Sequence, residues 1–141
     1  MRRTYIDSSV LIAAFRGTDD LSRRAMQALE DPDRGLVISD YVKLEVIPKP
    51  TYYGSQLEVE FMQAVFDHVV ENVPASSEVT SKALEMASKY DMTPMDALHI
   101  GAALVSGVDE VLTVEKPTKP ICRPTEVKVT SLHSLSEYFD K

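Results

Sequence analysis

Short apolar runs alternate along this chain with longer segments in which apolar residues recur every three or four positions. The short runs are typical of buried strands, and the longer period is typical of amphipathic helices. Strands are predicted at residues 4–7, 36–39, 108–113 and 127–130, and residues 72–74 are expected to form a short link or an edge strand. Helices are predicted at residues 8–16, 20–29, 40–47, 55–71, 76–90, 93–106 and 131–139, the first capped by Ser8 or Ser9. This alternation favours a three-layer α/β/α fold in one domain, residues 1–141, with a central, mostly parallel sheet of four to five strands.

The helix over residues 93–106 is the most apolar of the predicted helices. Thr93 is placed to cap it, and Pro94 occupies the first turn, where proline is favoured. A helix that is apolar on all sides is usually buried. Asp96, in the first turn, is therefore expected to be held by a rigid core element. His99, three residues further on, is expected to be a packed or hydrogen-bonded core histidine.

Residues 48–54 contain two prolines and a glycine, a composition that predicts an irregular segment. Lys49, Tyr52 and Tyr53 within it indicate a surface that contacts another molecule. Stacking of the tyrosines on single-stranded RNA is one interpretation. Contact with a protein partner or with a second copy of the chain is the other.

The chain carries a formal net charge of −7, and 44% of its residues are hydrophobic. This charge argues against a protein that coats nucleic acid through a basic face, but not against an enzyme whose carboxylates bind divalent cations. The single cysteine, Cys122, excludes an internal disulfide, and with three scattered histidines it argues against a structural zinc site. No apolar run is long enough to span a bilayer and the N-terminus is a poor signal peptide, so a cytoplasmic protein that does not bind membranes is expected.

Four acidic residues lie just after predicted strands or early in predicted helices: Asp7, Glu45, Asp96 and Glu115. Because ligand sites of open α/β sheets lie at the carboxyl ends of the strands, these side chains are expected to converge there. Like charges repel one another, and a hard divalent cation such as Mg²⁺ relieves that repulsion. Two such cations can activate a water and stabilise the leaving oxygen of a phosphodiester. Each acid alone is also explained as a cap, turn or surface residue, so the prediction depends on their joint placement.

Each of the four acids lies in a short motif of its own. The motifs are Tyr5–Leu11 (YIDSSVL), Leu44–Val46 (LEV), Pro94–Ile100 (PMDALHI) and Leu112–Glu115 (LTVE). The first resembles the opening of a PIN domain, and the third closely resembles the third acidic motif of that family. The second motif lies where the family carries its second acid, and the fourth resembles its last motif, in which Thr-x-Asp is the usual pattern. The resemblance covers essentially the whole chain.

The resemblance implies a PIN-like fold and cleavage of RNA that depends on Mg²⁺ or Mn²⁺. Carried over by position, Asp7, Glu45 and Asp96 would be the principal catalytic and metal-site acids, and Glu115 would be the fourth, in place of the usual aspartate. The polar residues expected to support these acids are Ser8 and Thr113, and those expected to contact RNA are Lys49, Tyr52, Tyr53 and Lys116.

Small PIN proteins of this length are often VapC-type toxins, which implies a VapB-type antitoxin as partner and a homodimer. Two alternatives stay open. One is a catalytically silent PIN-like module that binds RNA or protein, which Glu115 and the net negative charge favour. The other is a receiver-like phosphoacceptor domain, which predicts paired acids at the end of the first strand, where only Asp7 lies.

Overall fold

The computed structural model describes residues 1–133, in which five strands alternate with seven α-helices. The strands are β1 (Arg2–Ile6), β2 (Arg34–Ser39), β3 (Glu71–Val73), β4 (Glu110–Thr113) and β5 (Val129–Ser131). The helices are α1 (Ser8–Arg16), α2 (Asp20–Glu30), α3 (Asp40–Val46), α4 (Pro48–Tyr52), α5 (Gln56–Phe66), α6 (Ser77–Tyr90) and α7 (Pro94–Ser106). The terminal helix predicted through residue 139 falls outside the described residues. Within residues 1–133, no helix has both the length and the apolar character needed to cross a membrane.

The five strands form one sheet in which every neighbouring pair is parallel, in the order β3-β2-β1-β4-β5. Tyr5, in the central strand, pairs with Val37 of β2 on one side and with Val111 of β4 on the other. Strands of a parallel sheet are buried on both faces and therefore form continuous apolar runs, which is why the sequence reveals them. The predicted α/β fold with a parallel central sheet is confirmed, with β3 as an edge strand.

Successive strand residues point to opposite faces of the sheet and build two hydrophobic cores. The smaller core, under α1 and α2, contains Ile6, Val10, Ala25, Leu36 and Leu112. The larger core contains the adjacent strand residues Tyr5, Val37 and Val111, together with Val42, Met86 and Ile100 of α3, α6 and α7. Helices therefore cover both faces of the sheet.

The order of the strands creates a crevice beside β1. The chain passes from β1 to β2 and β3 on one side, and later returns through α6 and α7 to β4, which pairs with the other side of β1. The loops that leave the carboxyl ends of β1 and β4 therefore diverge, and such a switch point is where open α/β sheets bind ligands. Asp7 directly follows β1, and Glu115 is the second residue after β4.

Helix α7, which carries Asp96, is held by close contact with α6. A Cβ atom on Gly101 would lie 2.8 Å from the carbonyl oxygen of Val79 and 3.1 Å from the amide nitrogen of Ala83. Glycine permits this approach of the two helix backbones, which a larger residue would prevent. At the start of α7 the Thr93 hydroxyl accepts from the Asp96 amide, so the predicted cap is confirmed. Asp96 therefore stands in the first turn of a helix with a buried body.

The prediction that residues 48–54 are irregular is wrong, because Pro48–Tyr52 form helix α4. Pro48 and Pro50 both lie in the first turn, where backbone N–H groups have no partner within the helix and proline is tolerated. Gly54 ends this segment with a left-handed backbone, φ 69°. The prolines thus begin a short helix instead of preventing one.

Helix α5 is shorter than predicted, because it ends at Phe66 and not near residue 71. Its apolar residues do not all lie on the buried face, since Leu57 is 75% exposed, whereas Glu58 is buried. The guanidinium of Arg16 lies 3.1 Å from the Glu58 carboxylate, and this pairing lets an acid occupy a buried position.

Candidate acidic site at the carboxyl edge of the sheet

Asp7 lies at the junction of β1 and α1 and caps the helix. Its Oδ1 atom accepts hydrogen bonds from the amides of Ser9 and Val10, at 3.1 and 3.3 Å, and from the Ser9 hydroxyl at 2.5 Å. The prediction of Ser8 or Ser9 as the cap is therefore wrong, since aspartate satisfies the amides of the first turn equally well. All three bonds use Oδ1, so the cap does not occupy Oδ2.

The Asp7 carboxylate is only 4% exposed. Burial raises its pKa, because removal from water disfavours the charged form, and hydrogen bonds from the Ser9 and Thr113 hydroxyls offset part of that rise. A helix cap does not require such burial. Capping alone leaves the buried, ionised carboxylate energetically unfavourable, and a cation beside Oδ2 would stabilise it.

Ser9 joins the two sides of the crevice, a role that was not predicted from the sequence. Its hydroxyl donates to Asp7 and accepts a hydrogen bond from the Val114 amide at 3.1 Å. Thr113, fully buried at the end of β4, accepts from the Glu115 amide at 3.1 Å and so shapes the turn that carries Glu115. In the sequence, the only indication of this link is the second of the two serines that follow Asp7.

Glu45 lies in the second turn of α3, with 34% of its side chain exposed. Its Oε1 atom accepts from the Ser8 hydroxyl at 2.6 Å and from Nε2 of His99 at 2.5 Å. The His99 hydrogen bond lowers the pKa of Glu45, burial acts in the opposite direction, and Ser8 adds to the lowering. Of the two residues beside Glu45, Val46 is buried and Leu44 is 63% exposed.

His99 is a buried, hydrogen-bonded histidine, as the sequence predicts. Its partners were not predicted. Nδ1 lies 2.7 Å from the Tyr5 hydroxyl, which in turn lies 2.7 Å from the Ser39 hydroxyl. Together with the bond from Nε2 to Glu45, these contacts link α7, β1, β2 and α3 beneath the acidic site.

Asp96 and Glu115 are both partly buried at the same edge of the sheet. Burial raises the pKa of Asp96, and the negative charges of Glu115 and Glu45 raise it further, whereas His99 and the Thr93 hydroxyl lower it. Acids on α3, on α7 and after β4 are thus close enough for their charges to act on one carboxyl group.

Cys122 lies in a turn of 3-10 helix, Pro120–Cys122, near the same acids. Burial raises the pKa of its thiol to about 11, and the charges of Asp7, Glu115 and Asp96 contribute to that rise. The thiol lies 3.6 Å from the Lys116 carbonyl oxygen. The loop after β4 therefore packs beside the acids, which the sequence pattern did not indicate.

The donor atoms at this edge are those that Mg²⁺ and Mn²⁺ prefer, namely carboxylate oxygens. Within residues 1–133, no three His, Cys, Asp or Glu side chains are grouped tightly enough to enclose a metal ion by themselves. Mg²⁺ does not need such a cage, because it retains several waters and usually takes one or two carboxylates with substrate phosphates. The bonds from Ser9 and Val10 go to Oδ1 of Asp7, and those from Ser8 and His99 go to Oε1 of Glu45, so these four partners occupy one oxygen of each carboxylate. The residues present therefore fit a hard divalent cation.

The predicted RNA-contacting residues lie at the surface and not among the acids. Tyr52 and Tyr53 are 82% and 72% exposed, and their rings pack edge to face with centroids 5.0 Å apart. Lys49 is exposed on α4, the helix that follows Glu45, and exposed Lys116 directly follows Glu115. Lys49, Tyr52 and Tyr53 therefore follow the helix that carries Glu45, and Lys116 follows Glu115 in the loop after β4.

The fold is an α/β/α domain with acidic residues following β1 and β4 at the switch point of a parallel sheet. A family model described as PIN domain matches residues 4–116, and the chain belongs to the PIN domain family. Proteins of this family are generally nucleases, and these nucleases typically depend on divalent metals. No curated protein matches the chain.

Solved structures of similar fold come from bacterial toxin–antitoxin pairs. A toxin–antitoxin complex from Klebsiella pneumoniae matches with a TM-score of 0.72 and 20% identity, over 92% of this chain and 97% of that chain. VapBC2 from Rickettsia felis, bound to a promoter DNA fragment, matches with a TM-score of 0.67 and 14% identity, over 92% and 98%. DNA-bound VapBC from Salmonella typhimurium matches with a TM-score of 0.65 and 12% identity, over 94% and 99%. At these identities the likeness concerns the fold.

Proposed function

We propose that this protein is an endoribonuclease that hydrolyses RNA phosphodiester bonds at a Mg²⁺ or Mn²⁺ site formed by Asp7, Glu45, Asp96 and Glu115. The observation that carries the proposal is the placement of these acids at the carboxyl edge of the sheet, where Asp7 follows β1 and Glu115 follows β4. Burial raises the pKa of half-buried Asp96, and the charges of Glu115 and Glu45 raise it further. Carboxylates that repel one another are costly in a metal-free fold and useful when a cation neutralises them.

The side chains have separate tasks in the proposed reaction. Asp7 is held by the amides of α1, and Glu45 by Ser8 and His99, so both present a fixed oxygen to the crevice. Asp96 is carried by the first turn of buried α7. When bound, the cation supplies the positive charge that activates a water and stabilises the leaving oxygen. Glu115, longer than the usual aspartate by one methylene, completes the acidic set from the loop after β4.

RNA is proposed to enter across the surface between α4 and the loop after β4. Lys49 and Lys116 would contact phosphates, and Tyr52 and Tyr53 would stack on unpaired bases. Both rings are exposed and lie at an angle to each other, so each has a free face. This arrangement suits single-stranded RNA better than a duplex, in which bases are not accessible to stacking.

The biological role we propose is that of a VapC-type toxin acting in the cytoplasm. The support is the fold, which the chain shares over more than nine-tenths of its length with proteins solved as toxin–antitoxin complexes. A VapB-type antitoxin is then the expected inhibitor and a homodimer the expected assembly. Growth arrest on expression of the wild type, abolished by Asp96→Asn and relieved by coexpression of an adjacent small gene, is the expected result.

A catalytically silent PIN-like module that binds RNA or protein is the second candidate. The observation that favours it is Glu115, which stands where the related motif usually has aspartate. This candidate predicts that no divalent cation binds near Asp7 and Asp96, which a titration monitored by calorimetry would reveal.

The proposal is tested by the cleavage of an RNA pool with added Mg²⁺ or Mn²⁺, for the wild type and for Asp96→Asn. The matched control is Asp91→Asn, because Asp91 is an exposed acid five residues earlier, at the left-handed end of α6 where asparagine is well tolerated. Wild type and Asp91→Asn should cleave, and Asp96→Asn, with its fold verified by circular dichroism, should not. A wild type that binds metal without cleaving RNA, or equal cleavage by Asp96→Asn, would refute the proposal.

A further inference from the structure

Four side chains from four different elements form one hydrogen-bonded series that ends at the acidic site. Ser39 at the end of β2, Tyr5 of β1, His99 of α7 and Glu45 of α3 follow one another at 2.7, 2.7 and 2.5 Å. Ser39, Tyr5 and His99 are at most 2% exposed. Glu45, at the end of the series, is the only member that reaches solvent to a large extent.

The direction of the last hydrogen bond follows from the chemistry of its two partners. An ionised carboxylate can only accept, so Nε2 of His99 must carry the hydrogen that is donated to Oε1 of Glu45. Nδ1 then either accepts from the Tyr5 hydroxyl or donates to it. With either arrangement at Nδ1, Nε2 still donates its hydrogen bond to Glu45.

Glu45 needs such an anchor more than the two aspartates, Asp7 and Asp96, do. Its side chain has three rotatable bonds before the carboxylate and starts from a seven-residue helix that carries an exposed leucine, Leu44, beside it. The series also returns to that helix, because the Ser39 hydroxyl accepts from the Tyr41 amide at 3.2 Å and caps α3. The same buried residues therefore fix both the start of α3 and the orientation of the carboxylate.

We infer that His99 is a positioning residue, which holds the Glu45 carboxylate in the orientation that receives the divalent cation, with Tyr5 fixing the imidazole from behind. This inference rests on the proposed metal-dependent function. His99 does not bind the cation or the RNA, because both ring nitrogens are occupied by Glu45 and Tyr5. Groups that orient metal ligands in this way usually matter, and their loss weakens metal affinity by about 10- to 100-fold.

Two amide substitutions of His99 separate positioning from packing. In His99→Gln the amide nitrogen takes roughly the place of Nε2 and can still donate to Glu45. In His99→Asn the shorter side chain takes roughly the place of Nδ1, so the contact with Tyr5 can remain while the contact with Glu45 is lost. The control is His68→Asn, because His68 is exposed and bonded only to the Ala64 carbonyl oxygen of its own helical turn.

Mn²⁺ binding to these variants, measured by calorimetry on the free protein, gives the first result. His99→Asn should raise the Kd for Mn²⁺ by about 10- to 100-fold, and His99→Gln and His68→Asn should stay close to the wild type. Tyr5→Phe, which keeps the buried ring and removes only the hydroxyl, should raise the Kd by a smaller factor. A purely structural histidine predicts instead that Asn, which keeps the Tyr5 contact, is tolerated at least as well as Gln.

A double-mutant cycle with Glu45→Ala gives the second result. If His99 acts through Glu45, His99→Asn should raise the Kd no further once Glu45 has been removed. Independent, additive losses would overturn the inference, as would unchanged Mn²⁺ affinity in both His99→Asn and Tyr5→Phe. These outcomes leave the proposed function intact. A wild type that neither binds Mn²⁺ nor cleaves RNA would overturn both.

Discussion

The Val114 amide donates a hydrogen bond to the Ser9 hydroxyl at 3.1 Å, across 105 residues of sequence. The same hydroxyl donates to the buried Asp7 carboxylate. Ser9 therefore fastens the beginning of α1 to the strand end that carries Thr113, at the switch point of the sheet. This bridge adds a side-chain link to the backbone hydrogen bond from the Asp7 amide to the Leu112 carbonyl oxygen.

Ser9→Ala removes the bridge without touching an acid. The Asp7 carboxylate loses one partner and the Val114 amide another, so the free energy of unfolding should fall by about 1–3 kcal/mol. RNA cleavage should fall as well, because the Asp7 carboxylate loses the hydroxyl that links it to Val114. Urea unfolding and initial cleavage rates measure the two effects. Ser8→Ala, the matched neighbour, should spare the Asp7 bridge, because the Ser8 hydroxyl contacts Glu45 and His99 instead. Equal stability of Ser9→Ala and wild type would contradict the prediction.

The stability of the metal-free protein should depend on pH through Asp7. Burial raises the pKa of Asp7 in the folded state above the ordinary value of 3.8, which applies to the unfolded state. At a pH between the unfolded-state pKa and the folded-state pKa, the folded state therefore holds more protons than the unfolded state. The free energy of unfolding contributed by Asp7 therefore falls as pH rises through this range. Asp7→Asn keeps a capping side chain and removes the titration.

The wild type should accordingly lose stability relative to Asp7→Asn as the pH rises above about 4, and added Mg²⁺ should reduce that loss. Chemical unfolding at a series of pH values, with and without the cation, measures the difference. The comparison cancels carboxyl groups such as Asp40 and Glu126, whose pKa values are lowered by hydrogen bonds and which act with the opposite sign. A difference that narrows as pH rises would contradict the prediction.

Gly101→Ala should destabilise the protein although alanine is the better helix former. The new methyl group would meet the backbone of α6 at 2.8 Å from the Val79 carbonyl oxygen, and backbone atoms cannot move aside alone. Overpacking of this kind costs about 1–3 kcal/mol and exceeds the gain of about 1 kcal/mol in helix propensity. Thermal unfolding measures the net loss. A stabilised variant would show that α6 and α7 can separate without penalty.

Tyr52→Ala and Tyr53→Ala should weaken the binding of single-stranded RNA and leave Mn²⁺ affinity unchanged. Stacking of a base on an aromatic ring contributes about 1–3 kcal/mol, so each change should raise the Kd for RNA measurably. Fluorescence anisotropy in the Asp96→Asn background measures binding without cleavage. Leu57→Ala is the control, because Leu57 is equally exposed but not aromatic.

The same variants distinguish the two interpretations of this surface. If the tyrosines contact a second copy of the chain, their removal should change the mass measured by light scattering and leave RNA affinity unchanged. That outcome would assign α4 to assembly and not to substrate.

Much of the fold could be predicted from the sequence, because its signals are local. Apolar runs at residues 4–7 and 36–39 mark buried parallel strands, and Thr93 with Pro94 marks the start of α7. Expectations based on neighbouring residues alone were not met at two places in the chain. Prolines at positions 48 and 50 begin a helix, and Glu58 is buried because Arg16, on another helix, pairs with it.

The acidic motifs and their order along the chain, which the sequence alone determined, identify the family and predict which carboxylates gather at the sheet edge. Only the tertiary structure decided how those carboxylates are held. Glu45 and His99 are 54 residues apart, and Ser9 and Val114 are 105 apart. Such pairs leave no periodic trace in the sequence, because strand order and helix packing, not spacing, bring their atoms together. Burial of Asp7, and with it the raised pKa, likewise arises only when β1, α1 and β4 close around it.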